Sequence, residues 1–290
     1  MSYVRSARWS LLKGLAALAL GAAFFATVLT QALHPPTDDT LIERERVTRF
    51  RTVARGGVLA GTPDLANLPQ RLADNGLALG APIFMRIFKR EFELELWMKR
   101  DGRFHRFATY PICRYSGGLG PKLREGDKQA PEGFYTIGAK QLNPNSNWHR
   151  AFNLGYPNAH DSALGRTGSF VMIHGGCSSV GCYAMTDAVV DELWQLVTAA
   201  LAAGQPRFQL QVFPFRMTEA NLEASADHAT LPFWRDLKAG HDAFDATLLP
   251  PRIQVCNGRY VATSIASDAT DGRTEIVRKC EPPGRAAALR

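Results

Sequence analysis

The chain lacks the surface pattern by which proteins bind nucleic acid. Its formal net charge is +7 over 290 residues, yet no stripe of lysine and arginine interleaved with aromatic residues is present. Three of the basic residues, Arg5, Arg8 and Lys13, precede an apolar segment, and those of the run 43–46 alternate with glutamates. Charges spread in this way are typical of a solvated surface. We therefore exclude nucleic acid as a partner.

The sequence also lacks a complete set of zinc ligands. His174, Cys177 and Cys182 lie close together, but a structural zinc site needs four ligands at characteristic spacings. A fourth ligand is not evident nearby, and the spacing matches no common zinc knuckle. We expect neither a metal nor another cofactor.

Long apolar runs are scarce as well, and the one that is present lies at the N-terminus. Residues 14–33 are uncharged and rich in leucine, alanine and phenylalanine. A run of about 20 apolar residues can span a bilayer, and the basic residues ahead of it predict a cytoplasmic N-terminus. A buried helix of a soluble protein is the weaker alternative. We expect residues 1–35 to be a signal anchor or, with cleavage after residues 30–32, a signal peptide, so that the remainder is exported.

What the sequence does contain is a histidine and a cysteine in one glycine-rich run. Residues 173–182 begin with Ile-His174 and end with Gly-Cys182. A free thiol is mostly protonated at neutral pH, so a nucleophilic cysteine needs a base, a cationic neighbour or a helix N-terminus. The apolar run 169–173 predicts a buried strand, and the spacing after Thr186 predicts a helix whose N-terminus faces the thiol. The pattern favours thiolate catalysis in turns between these elements.

This run resembles the His-Gly…Ser-x-Gly-Cys signature of the L,D-transpeptidase catalytic domain, also called the YkuD domain, and most closely its YafK-like branch. Residues 115–135 and 142–157 are similar to two further blocks of the same family. The resemblance covers roughly residues 82–215. It implies a mainly β, α+β fold: a β-sandwich or barrel that carries a helix after the nucleophile.

The resemblance also implies a role for each residue of the run. Cys182 attacks a peptide carbonyl next to the diaminopimelate centre of a peptidoglycan stem peptide. His174 takes the thiol proton and later returns it to the leaving amine, and the backbone carbonyl of Gly175 orients it. Ser179 and the amides of Gly181 and Cys182 polarise the attacked carbonyl. An amine or water then resolves the acyl-enzyme.

One departure from the family concerns position 184. Most members carry arginine two residues after the nucleophile, whereas this chain has Ala184. Arg166 is the candidate substitute. The YafK-like branch includes enzymes that hydrolyse the bond between peptidoglycan and an attached outer-membrane lipoprotein. The chain is therefore expected to be either a transpeptidase or a hydrolase of this kind. The alternative is a non-catalytic cell-wall binding or scaffolding module with a vestigial Cys-His pair.

Further substrate contacts are expected in the loop-rich segment ahead of the catalytic strand. Asn153 and Tyr156 belong to a block that resembles the family, and His160 and Arg166 follow it. Binding groups concentrate in loops. These four residues are therefore the candidate substrate-binding residues, although packing within the loop is the commoner role for an aromatic such as Tyr156.

The five cysteines allow few disulfides. Cys256 and Cys280 flank a C-terminal segment and are candidates for a bond in an oxidising compartment. If Cys182 stays free, Cys113 and Cys177 are left for a second pair. The expected location is the periplasm, with residues 1–35 as the anchor in the inner membrane.

The predicted elements divide the chain into four parts. They are residues 1–35, a helical linker region over 36–80, the catalytic domain over 81–215, and a small α/β extension over 216–290 with a candidate disulfide. Alternating apolar residues predict strands over 83–87, 92–98 and 208–212. Asp101-Gly102 and Asn257-Gly258 predict hairpin turns, and residues 218–224 and 231–238 predict helices.

Overall fold

The computed structural model describes residues 37–265 and 276–278. Residues 1–35, the expected signal anchor or signal peptide, lie outside the described residues. Within the described part of the chain, no helix is both long and apolar enough to cross a membrane. The chain divides into two units, Met1–Glu43 and Arg44–Arg290, and all the sheets belong to the second unit.

Helices dominate the segment ahead of the first strand, as its apolar periodicity predicts. Helix α1 spans Asp38–Ala54, and Gly56, at φ 75°, follows its end. A 3-10 turn, Leu65–Asn67, leads into α2, Leu68–Asp74, which has a proline in its first turn. Both helices lie within the region 36–80 that the sequence predicts to be helical.

The first sheet has five strands in the order β3-β2-β1-β10-β5. The strands are β1 Ile83–Phe88, β2 Glu93–Arg100, β3 Arg103–Pro111, β5 Gly133–Gly138 and β10 Arg207–Phe213. Only β1 and β10 pair in parallel. The predicted hairpin between β2 and β3 is confirmed: Asp101 and Gly102 have φ 52° and 78°, values typical of a two-residue turn.

The second five-stranded sheet, in the order β4-β9-β8-β7-β6, carries the histidine. Its strands are β4 Arg114–Tyr115, β6 Leu142–Ser146, β7 His149–Asn153, β8 Met172–His174 and β9 Tyr183–Ala184. The strand predicted over 169–173 instead begins at Met172 and includes His174. Phe170 has φ 52°, a left-handed conformation that a strand does not tolerate.

Two helices directly follow strands of this sheet along the chain. Helix α3, Ala159–Ala163, lies in the loop between β7 and β8. Helix α4, Asp187–Ala202, follows β9 with Thr186 at its N-cap, as predicted. Its buried face consists of Val189, Val190, Leu193, Leu196, Val197 and Ala200, together with Glu192. Gly204 lies just beyond its end at φ 104°.

The C-terminal extension packs against the first sheet. Its helices are α5, Glu219–Glu223, and α6, Leu231–Thr247, and its sheet has the order β12-β11-β13, with β11 Arg252–Cys256, β12 Arg259–Thr263 and β13 Val277–Arg278. Helix α6 continues well past residue 238, where the sequence pattern fades. Trp234, Leu237 and Ile253 share one core cluster with Phe88 and Phe213. The extension therefore completes the core of an α+β fold built on two five-stranded sheets.

Candidate active site

His174 is held at the end of β8 by its neighbouring strands. It pairs with Ala184 of β9 and Ala151 of β7. The carbonyl of His174 accepts a hydrogen bond from the amide of Met185 at 2.7 Å. Strand pairing on both sides thus fixes the backbone from which the imidazole projects.

The predicted contact between His174 and its neighbouring carbonyl is present. The Nδ1–H of His174 donates to the Gly175 carbonyl oxygen at 2.6 Å. Because a carbonyl only accepts, this contact assigns the proton to Nδ1 and leaves Nε2 as the proton acceptor. Burial lowers the pKa of His174 below 6.5, and the Gly175 contact offsets part of that shift. The imidazole is therefore neutral at pH 7.

Cys182 is a free thiol in the turn before β9. Its Sγ–H donates to the Phe170 carbonyl at 3.6 Å. Burial raises the pKa of the thiol above 9.0, and the Met172 backbone and the charge of Lys122 reverse only part of this. Desolvation thus outweighs the groups that favour the thiolate, and both the thiol and the imidazole are uncharged in this structure.

Cys182 and His174 line one open pocket of about 290 Å³. Among its lining residues His174 is the only titratable base, and most of the others are amides, hydroxyls or apolar groups: Asn143, Ser146, Asn147, Trp148, Phe170, Met172, Ser178, Ser179 and Val180. Trp148, Phe170 and Val180 are exposed apolar side chains. The thiol and the imidazole thus face a cleft that suits an uncharged, partly apolar chain.

The groups expected to polarise the attacked carbonyl are engaged elsewhere. The Ser179 hydroxyl donates to the Cys182 carbonyl at 2.7 Å and accepts from the Cys182 amide at 3.0 Å. The Gly181 amide donates to the Ser116 hydroxyl. The Ser179 contacts close the turn before β9, and the Ser116 contact ties that turn to the loop after β4. In this structure Ser179 and Ser116 hold the nucleophile's backbone rather than presenting free donors.

The four candidate substrate-binding residues are all absent from the pocket lining. The Asn153 side-chain oxygen accepts from the Gly155 amide at 2.9 Å. Tyr156 is buried, and its hydroxyl donates to the Lys122 carbonyl at 3.0 Å; burial raises its pKa. Both residues stabilise loops outside this pocket, and their contact with substrate stays a prediction.

His160 and Arg166 are likewise structural. His160 is 2% exposed, and its ring stacks on that of Tyr260 with centroids 4.1 Å apart. Arg166 pairs with Asp161 at 2.8 Å and lies over the ring of Phe233. Asp161 holds Arg166 outside the pocket, and its substitution for the family arginine stays a prediction.

Lys122 is the cation whose charge acts on Cys182, and the sequence reasoning missed that role. Its side chain is only 6% exposed, and its Nζ donates to Asp127 at 2.5 Å and to the Arg124 carbonyl at 2.9 Å. The available signal was its place at the end of the 115–122 block that resembles the family. A lysine in a surface loop otherwise gives no sign of burial.

The predicted disulfide between Cys113 and Cys177 is confirmed. Cys256 is also disulfide-bonded, and its expected partner, Cys280, lies outside the described residues. Within residues 37–265 and 276–278, no group of three or more histidine, cysteine or acidic side chains is arranged to hold a metal ion.

Comparisons with known proteins agree with the site. The model of the L,D-transpeptidase catalytic domain (YkuD) family matches residues 90–212. Proteins named "Putative L,D-transpeptidase YafK" from Escherichia coli K12 and O157:H7 are each 48% identical over 185 residues, which is 64% of this chain and 75% of theirs. The helical cell shape determining protein Pgp2 of Campylobacter jejuni aligns with a TM-score of 0.38 and 22% identity, over 62% of this chain and 67% of that one.

Proposed function

This chain belongs to the L,D-transpeptidase catalytic domain (YkuD) family, whose members act on peptidoglycan, and we propose that it is a cysteine acyltransferase or hydrolase of diaminopimelate-linked bonds. The observation that carries the proposal is the shared pocket, which is lined both by a free thiol and by an imidazole whose tautomer leaves Nε2 as a base. Cys182 is the nucleophile, and His174 is the general base and acid.

The reaction needs two proton transfers through one nitrogen. As Sγ of Cys182 bonds to the substrate carbonyl carbon, its proton moves to Nε2 of His174. The tetrahedral intermediate collapses, the carbon–nitrogen bond breaks, and the same proton goes to the leaving amine. A thioester remains on Cys182. Attack by water or by an amine then releases the thiol, and His174 serves again as base.

Cys182 and His174 are both uncharged before substrate binds, which suits this order of proton transfers. Burial disfavours both the thiolate and the imidazolium, so charge separates only when the carbonyl of the substrate is in place to accept it. The Gly175 carbonyl stabilises the imidazolium that then forms, because Nδ1 keeps its proton throughout.

The pocket supports a peptide rather than a highly charged substrate at the reacting centre. Asn143 and Asn147 can pair with backbone amides of an extended peptide, and Trp148 offers an apolar face. Lys122 supplies positive charge close to the thiol.

For the fate of the acyl group we favour hydrolysis, with a lipoprotein attached to peptidoglycan as the leaving group. The family arginine is replaced by Ala184, which is fully buried, and Arg166 is committed to Asp161. The site thus lacks the arginine typical of the transpeptidases, and its pocket is open to water. Transpeptidation is the second outcome of the same acyl-enzyme.

A cell-wall substrate places the enzyme outside the cytoplasm. The Cys113–Cys177 disulfide fits an oxidising compartment. Anchoring in the inner membrane by residues 1–35 is part of the proposal, and a membrane fractionation of the full chain tests it.

The test is mass spectrometry of peptidoglycan fragments, with and without a covalently attached lipoprotein peptide, after incubation with the enzyme or with Cys182→Ala. Hydrolysis predicts that only the intact enzyme frees the attached peptide and leaves an unmodified stem. New links between stems or between stem and peptide would show transpeptidation. If neither fragment set changes, the proposal fails and a binding module takes its place. If Cys182→Ala acts equally, Cys182 is not the nucleophile and the proposal also fails.

A further inference from the structure

A carboxylate lies behind His174, one peptide group away. Asp187 is the first residue of α4, and its Oδ1 accepts a hydrogen bond from the Gly176 amide at 2.7 Å. On the other side, the Gly175 carbonyl accepts from Nδ1–H of His174 at 2.6 Å. The carbonyl of Gly175 and the amide N–H of Gly176 belong to the same peptide group. A continuous chain of hydrogen bonds therefore runs from the carboxylate to the imidazole.

A peptide group transmits polarisation because its C–N bond has partial double-bond character. A negative charge at the N–H draws electron density toward the carbonyl oxygen, which then becomes a stronger acceptor. Hydrogen bonds linked in this way reinforce one another, and a bond to a charged group is stronger than a neutral one. The Asp187 carboxylate thus increases the basicity of His174 without touching it.

Glycine at both positions allows this approach. A side chain at Gly175 would collide with the Asp187 carboxylate and would lie 2.9 Å from Cβ of His149. Gly176 has φ 79°, and a Cβ there would lie 2.8 Å from the ring of Trp148. The peptide between them is therefore confined on one side by α4 and on the other by the turn before β7.

We propose that Asp187 is a positioning residue that fixes and polarises the 175–176 peptide, and through it sets the tautomer and basicity of His174. The inference rests on the proposed function for its kinetic consequence. The hydrogen-bond chain itself can be tested on protein that performs no turnover.

The other charged groups near His174 must be separated from this effect. On the same helix, Asp191 pairs with His149 at 2.7 Å and with Arg150 at 3.0 Å. On the pocket side, the titratable group is Cys182, next to the charge of Lys122. Asp191 is one helical turn from Asp187 but does not contact the 175–176 peptide through any hydrogen bond found among the described residues. It is therefore a matched control for a purely through-space effect of charge.

The first experiment measures the imidazole of His174 by ¹⁵N NMR in a Cys182→Ala background. We expect Asp187→Asn to lower the pKa of His174 and to shift the Nδ1–H resonance upfield, because the imidazolium loses a strengthened acceptor. Asp187→Ala should do more, and Asp187→Glu should restore part of the signal. Asp191→Asn should leave the Nδ1–H resonance in place. An unchanged Nδ1–H resonance in folded Asp187→Asn and Asp187→Ala would overturn the proposal.

The second experiment measures kinetics in the Cys182-containing enzyme. Asp187→Asn should lower kcat about tenfold at pH 7 with little change in KM, and it should move the acid limb of the pH profile to lower pH. A KM effect alone would contradict a positioning role. If the unmodified enzyme has no turnover, the proposed function fails, while the NMR result still decides the role of Asp187.

Discussion

At the scale of single residues, burial decides the protonation states on which catalysis depends. His174 is 3% exposed, and desolvation lowers its pKa; the same effect raises the pKa of Cys182. Desolvation penalises whichever form is charged. Because burial lowers the pKa of the base and raises that of the acid, the two pKa values move apart. This leaves a wide pH range in which both groups are neutral.

This arrangement predicts a broad pH optimum for kcat/KM. Activity should fall at low pH with a midpoint below 6.5, since His174 must be unprotonated to accept the thiol proton. It should fall again only above 9.0, where the thiol has lost the proton that the leaving amine needs. A pH–rate profile on a soluble stem-peptide substrate checks both limbs. A thiolate–imidazolium resting pair would instead give a low-pH limb set by the cysteine, well below the histidine value.

Much of the reacting centre was predictable at the residue scale, and its surroundings were not. His174 ends β8, Gly175 follows it, and Cys182 lies in the turn before β9, so a short stretch of sequence brings them together. The roles of Tyr156 and Arg166 depend on distant partners, the Lys122 carbonyl and the ring of Phe233. The sequence does not reveal which polar groups those loops bury, so loop position alone could not predict these contacts.

At the scale of elements, a disulfide connects the loop between β8 and β9 to the segment after β3. This loop follows His174 and contains Cys182. Cys113 lies between β3 and β4, and Cys177 lies between β8 and β9. The amides of Cys113 and Cys177 donate to the carbonyls of Ala184 and Met185. The disulfide and these backbone hydrogen bonds therefore both restrain the glycine-rich turn.

Removing this bond should weaken both the fold and the site. The double variant Cys113→Ala/Cys177→Ala should lose about 2–4 kcal/mol of unfolding free energy, because the bond closes a loop between residues 64 apart. Urea denaturation measures the loss. Cys182→Ala is the matched control: it removes a cysteine with no bond to break, and its change should stay within about 1 kcal/mol. Equal stability of the double variant and the control would contradict the structural role.

The strands, helices and hairpins could be predicted from the sequence wherever a turn motif or an apolar face was distinct. Both hairpins, at Asp101-Gly102 and Asn257-Gly258, have the positive φ values that these residue pairs favour. The strand before His174 was misplaced because the left-handed Phe170 interrupts an otherwise apolar run. No single-residue preference announces a positive φ at phenylalanine.

At the scale of the whole molecule, one buried ion pair joins the first sheet, the site loop and the C-terminal extension. Lys89 follows β1, and its Nζ donates to the carbonyls of Gly120 and Ala130 and to Glu132 at 3.0–3.1 Å. The second oxygen of Glu132 accepts from the indole of Trp234 at 2.7 Å. The loop so anchored carries Ser116, which binds the Gly181 amide. The extension therefore supports the site without lining its pocket.

Breaking this pair should destabilise the entire fold. Lys89→Met leaves the Glu132 carboxylate buried without its cation and should cost about 3–5 kcal/mol, a loss that denaturant unfolding detects. The double variant Lys89→Met/Glu132→Leu should recover part of that loss. If the single variant unfolded at the same denaturant concentration as the unmodified protein, the fully buried pair would not stabilise the fold as expected.

The sequence indicated the helices of the extension but not this connection. Trp234 lies 102 residues from Glu132 in the chain, and a long-range contact between an indole and a carboxylate leaves no local pattern. The residue pattern of the 216–290 segment therefore predicted its elements but not this contact with Glu132.

The most direct test of the account is the covalent state of Cys182 during turnover. Enzyme mixed with a stem-peptide substrate is quenched in acid at short times, digested and mapped by mass spectrometry. The account predicts an acyl group, derived from the stem peptide, on the fragment that contains Cys182. It also predicts no turnover by Cys182→Ala. Consumption of substrate while Cys182 stays unmodified, or turnover by Cys182→Ala, would contradict it.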